Sequence, residues 1–171
     1  MTRTGRRPLA FPRCLAMTLA LGLAAPAGAL DDPPAKAAPV SRAEAAARQQ
    51  AGRAAEAYLV LVDKGKYSES YDAASAWFRR GITRRKWVDA LTASRKPMGR
   101  VLSRKLDRVE LRSLRGSDVL DQAWIYSNVR FEEGEPCPEL TIVFIEDASW
   151  RMSAYFVGDP STFPKPSPPR R

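Results

Sequence analysis

The chain has 171 residues, a formal net charge of +9, 2 cysteines and no histidine. That length suits one domain with a modest core. Without histidine the Ser-His and Cys-His nucleophile pairs are excluded, the commonest general base is missing and so is the usual zinc ligand; neither a metal nor a cofactor is predicted.

Residues 1–29 read as a cleavable signal peptide. Arg3, Arg6, Arg7 and Arg13 make a positive start, Leu15 to Ala25 an apolar run, and Ala27-Gly28-Ala29 a small-x-small cleavage pattern. The run is shorter than the roughly 20 residues a membrane span needs. Cleavage near Ala29/Leu30 implies export to the periplasm or the medium. It removes four arginines and no acid, so +9 becomes +5. A mature domain of that charge is basic, but below the level of a dedicated nucleic-acid binder, and nucleic acid is not expected as a partner. Cys14 leaves with the signal, so the mature chain keeps Cys137 and cannot close an internal disulfide. Residues 30–41 (LDDPPAKAAPVS) are rich in Pro and Ala without periodicity and read as a linker.

Three helices are predicted next. The first starts near Ser41 or Arg42, with Ala47, Ala51, Ala54, Ala55, Tyr58, Leu59 and Val62 on one face, and ends at Gly65. The second follows Tyr67 with Ser68 as N-cap and a buried stripe of Tyr67, Tyr71, Ala74, Trp77 and Phe78, ending at Gly81. The third is capped by Thr83. Ile82 before the cap packs on Trp87 as a hydrophobic staple, and Pro97 and Gly99 close the helix.

Strands follow. Residues 100–114 fit helical or strand spacing, and Arg100, Arg104, Arg108 and Arg112 share a side in either case; a long, bent strand is the reading chosen, partly on the resemblance given below. Gly116-Ser117-Asp118 is a turn. Residues 122–131 alternate, residues 140–145 are apolar on both sides, and residues 150–157 put Trp150, Met152, Ala154 and Phe156 on one face. Short turn-rich connections, including a hairpin at Glu146–Ser149, favour antiparallel pairing. Residues 132–139 form an acidic loop holding Cys137, and residues 158–171 a Pro-rich extended tail. The expected fold is α+β, with three N-terminal helices on a four-stranded antiparallel sheet over residues 42–157.

The run AAEAYLVLVDKGKYSESYDAASAWFRRGITRRKWVDAL, the segment RKPMGRVLSRKL and the closing WRMSAYFV resemble the DUF4019 family of small secreted bacterial proteins, over roughly residues 54–157. The resemblance implies an NTF2-like, cystatin-like fold, in which helices close over a curved sheet as a cone. It implies an envelope address and no reaction.

Several side chains are candidates for a site. A carboxylate in an apolar pocket can serve as general base, and Asp72, next to Tyr71, is the candidate for it; the plainer alternative puts Asp72 on a polar edge. Tyr71, Trp87, Trp124 and Tyr126 are candidates to line a ligand cavity, against the alternative of simple core packing. Arg79, Arg80, Arg84, Arg85 and Lys86 surround Gly81 and are candidates for an anion site, against a solvated basic corner. Cys137 is expected to be exposed, either pairing with a second chain or idle.

The leading expectation is a non-catalytic binding or accessory domain of the cell envelope. Its partner would be a small molecule, an anionic envelope component or a membrane surface. The alternatives are a small cofactor-free lyase or isomerase using Asp72, and a homodimer joined through an outer sheet face bearing Trp124, Tyr126 and Arg130.

Overall fold

The computed structural model describes residues 41–113 and 120–165. The expected signal peptide, most of the linker, the Gly116–Asp118 turn and the last residues of the tail lie outside them. The fold is α+β: helices come first, then an antiparallel meander in the order β1-β2-β3-β4.

Helix α1 (Arg42–Asp63) opens on a capping box, in which the Ser41 hydroxyl accepts from Glu44 N and the Glu44 carboxylate accepts from Ser41 N. Ala51, Ala55, Tyr58, Leu59 and Val62 form its buried stripe. Gly65, at φ 70°, supplies the left-handed residue that turns the chain away.

The predicted second helix is two helices, α2 (Tyr67–Ala73) and α3 (Ala76–Gly81). Ser75 breaks it. Its backbone N–H donates to Met152 O at 2.9 Å, and its hydroxyl accepts from Phe78 N to cap α3. The break corrects two expectations. Ser68 is not a cap, since α2 begins at Tyr67 without a side-chain cap. Trp77 is not core: it is 49% exposed and meets the edge of Phe144. A continuous helix would have kept Trp77 in register with Tyr71, and the break turns it outward.

Helix α4 (Arg84–Arg95) has Thr83 as its cap, and Ile82 and Trp87 share the main core cluster as expected. A 3₁₀ turn (Lys96–Met98) leads to Gly99 at φ 72°, where a Cβ would meet Glu132 Cβ at 2.9 Å. Only glycine suits both the backbone and that contact.

The strands are β1 (Val101–Arg112), β2 (Gln122–Phe131), β3 (Cys137–Glu146) and β4 (Ser149–Val157). The last two are joined through Asp147 and Ala148, both at positive φ, as a tight hairpin requires. β3 starts three residues earlier than expected, which places Cys137 opposite Val129 and buries it in the core. The exposed loop thiol of the sequence reading is therefore corrected.

Opposed residues of an antiparallel ladder share a face. Ala123, Ile125, Val129, Phe131, Val143, Met152, Tyr155 and Val157 face the helices, with Trp87 and Leu91 packed among them. Trp124, Leu140 and Ile142 lie on the other face. β1 changes sides partway along. Arg104 pairs with Val129 and faces the helices, whereas Arg108 pairs with Tyr126 and faces outward, because Asp107 is an extra residue in the ladder. One inserted residue inverts the alternation. Arg104 and Arg108 thus do not share a side, contrary to expectation. Among the described residues no helix is long and apolar enough to cross a membrane.

Candidate functional site

Three groups of side chains were candidates; the structure brings Asp72, Tyr71 and Arg84 together at one corner and holds Trp124 and Tyr126 on the other face of the sheet. Two of the five residues of the basic corner, Arg79 and Arg84, are internal scaffolding. Arg79 donates to the carbonyls of Asp72 and Ala74. Arg84 grips Asp72 with two nitrogens, reaches the Ser68 hydroxyl at 2.9 Å and lies 5.1 Å over the Tyr71 ring. Arg80, Arg85 and Lys86 remain exposed, without an ion pair among the described residues. Arg79 and Arg84 meet at Asp72, the one on its carbonyl and the other on its carboxylate.

Asp72 is exposed. Its hydrogen bonds from Arg84 hold its carboxyl below the ordinary carboxylate range. A general base of this kind needs the opposite shift, from burial in an apolar pocket. Tyr71 is a strut, its hydroxyl donating to Arg79 O at 3.2 Å and Ile82 O at 3.0 Å. Trp87 is 1% exposed, with Phe78 and Tyr155 edge-on against it and its indole N–H on the Ser70 hydroxyl. These two belong to the core on the helical side of the sheet.

Trp124 and Tyr126 are a pair, ring centroids 6.4 Å apart, on the outer face. Two guanidiniums stack on them: Arg112 lies 4.1 Å over Trp124 and Arg108 3.6 Å over Tyr126. Glu110 sits between and accepts from both arginines, while Asp107 accepts from Arg108 at 2.7 Å. The Trp124 indole N–H donates to Gln122 Oε1 at 2.9 Å. Burial pushes the Tyr126 phenol up, so it is neutral at ordinary pH.

The tail completes this face. Residues 158–165 were expected to be extended without packing. Instead Asp159 caps a short 3₁₀ turn (Pro160–Thr162), and Phe163 folds back to 6.0 Å from Phe156. Between that turn and the sheet opens a cleft of about 580 Å³. Arg108 and Tyr126 form one wall and Phe163, Pro164 and Pro160 the other, with Asn128 and Pro138 between. Lys105, on β1, and Lys165, in the tail, are both exposed and also line the cleft. Among the described residues neither lysine is in an ion pair.

Sequence reasoning marked Tyr126 but missed the rest of this lining. The outward alternation of Trp124, Tyr126, Asn128 and Arg130 was its one signal.

A second arrangement was also missed, on the helical side of the sheet. Arg104 donates to Asp63 at 2.7 and 3.0 Å and to Glu139 through two nitrogens. Arg95 donates to Asp63 at 2.7 Å and covers the Phe131 ring at 4.2 Å. The Tyr155 hydroxyl donates to Glu139 Oε1 at 2.8 Å. Glu139 is 1% and Arg95 4% exposed. Burial pulls the Arg104 guanidinium down, but its bonds to Asp63 and Glu139 outweigh that and hold it charged. Burial, then the Glu139 charge, pushes the Tyr155 phenol well up. The two acids are matched by two guanidiniums, so this group ties α1, α4 and three strands together. Among the described residues no group of acidic or sulfur side chains is arranged to hold a metal ion.

Neither the curated proteins nor the solved structures contain a match to the chain. The family described as "Protein of unknown function (DUF4019)" matches residues 54–155, which span every helix and strand from the second half of α1 to Tyr155 in β4. On that match the chain belongs to the DUF4019 family.

Proposed function

We propose that this is an NTF2-like, non-catalytic binding or accessory domain of the cell envelope that holds its ligand in the outer-face cleft beside Tyr126. The observation that carries this is the contrast between the two sides of the sheet. The helical side is filled by Trp87, Leu91, Phe131, Met152 and Tyr155. The outer side carries an open cleft with fixed aromatic surfaces and two lysines that, among the described residues, are in no ion pair. A helical half followed by a four-stranded antiparallel meander supports the NTF2-like reading. The enzyme alternative loses the base proposed for it, since Asp72 is exposed and bound to Arg84.

Export is checked by sequencing the N-terminus of the protein recovered from the cell envelope. Leu30 is the expected first residue, and an intact Met1 in that fraction refutes cleavage. Binding is checked by hydrogen exchange with and without a soluble envelope extract. Protection is expected in residues 105–108, 126–128 and 160–165. Protection of residues 79–86 instead, no change anywhere, or protection that rises with protein concentration alone would each overturn the reading, the last in favour of a dimer through this face.

A further inference from the structure

We infer that the cleft recognises a sugar ring bearing one carboxylate or phosphate. This rests on the binding reading above and names the class of its ligand. The size fits, since about 580 Å³ lies within the roughly 300–1,000 Å³ typical of small-molecule sites and holds one or two sugar units rather than a polymer.

The charge fits as well. Arg108 is already neutralised by Asp107 and Glu110. Glu139, which also borders the cleft, is neutralised from the helical side by Arg104. The positive excess is left with Lys105 on β1 and Lys165 in the tail, two charges that suit one anionic group better than a run of phosphates.

The remaining lining is what a hydroxylated ring needs. Phe163 and the prolines offer flat apolar surface, as does the Tyr126–Arg108 stack, for the C–H face of a pyranose. The exposed Asn128 amide both donates and accepts hydrogen bonds, matching hydroxyl groups. A lipid surface is disfavoured because the lysines flank a recess instead of crowning a protrusion. The same chemistry has two sources, the uronate units of an envelope polysaccharide or a free sugar phosphate.

The test is an amide NMR titration of the exported chain at low salt. The probes are a galacturonate disaccharide, glucose 6-phosphate, glucose and inorganic phosphate. One or both acidic sugars are expected to shift the Lys105, Asn128 and Lys165 amides saturably, with glucose and phosphate at least about tenfold weaker. The better of the two acidic probes identifies the source. The pair K105A/K165A is expected to weaken acidic-sugar binding about tenfold, as two lost charge contacts predict, with the amide spectrum of the core unchanged.

Equal binding of glucose, or full reproduction of the shifts by phosphate alone, would overturn the inference. So would the absence of shifts from either acidic sugar. If exchange protection by envelope extract persists while both acidic sugars fail, the ligand class is wrong and the binding site stands. If an acidic sugar binds and the extract protects nothing, the envelope reading fails alone.

Discussion

Arg104→Ala is expected to destabilise the domain by about 3–5 kcal/mol, the usual effect of removing one partner from a buried ion pair. Truncation leaves Glu139, 1% exposed, with only the Tyr155 hydroxyl, and leaves Asp63 to Arg95 alone. A carboxylate this buried and left uncompensated carries a large desolvation cost. Against a total stability of about 5–15 kcal/mol, that loss is large. Chemical denaturation measures it directly. The triple change R104M/E139L/Y155F removes the charges and the phenol together and is expected to recover most of the loss, because apolar residues of similar volume often replace a buried pair without penalty. A midpoint in R104A within about 0.5 kcal/mol of the parent, the scatter of an ordinary surface substitution, would refute the role given to this group.

Trp87→Ala should cost a similar amount, about 3–5 kcal/mol, by a different route. Here the loss is packing: Phe78 at 5.0 Å and Tyr155 at 6.5 Å lose the ring they meet edge-on, and a cavity is left between α4 and the sheet. Trp87→Phe keeps much of the volume and removes the indole N–H from the Ser70 hydroxyl. That hydroxyl still donates to Tyr67 O at 2.8 Å, so the cost should fall to about 1–2 kcal/mol. Denaturation of both variants checks the ranking. If W87F were as damaging as W87A, the hydrogen bond, not the packing, would be the main contribution of this residue.

The two predictions mark what could and could not be read from the sequence. Trp87 was legible as a helix residue one turn past a cap, with Ile82 in the staple position, because staple and cap are local patterns. So were the ends of α1 and α4 and the β3–β4 hairpin, whereas the spacing in β1 fitted helix and strand alike and its strand reading leaned on the family resemblance. The ion-pair group was not legible. Its members lie 32, 35 and 41 residues apart, and no local periodicity marks such distances. A charged residue at the end of an apolar stripe, as Asp63 and Arg95 both are, was the available hint.

The split between α2 and α3 escaped for a related reason. Ser75 is an ordinary helix residue until its N–H finds Met152 O across the fold. The cleft escaped because half of it is tail, and a segment reading DPSTFP gives no sign that Phe163 will return to the sheet.

Asp107 marks a place where this chain can shorten. From Ser103 to Leu106 the even-numbered side chains of β1 face the helical side; from Arg108 on, the odd-numbered ones do. Losing that single residue would not trim a loop. It would close the ladder into plain alternation, with Leu106 and Arg108 consecutive opposite Ser127 and Tyr126, so that Arg108 stays outward, Val109 and Leu111 stay inward, and a one-codon deletion there leaves both surfaces of the protein as they are.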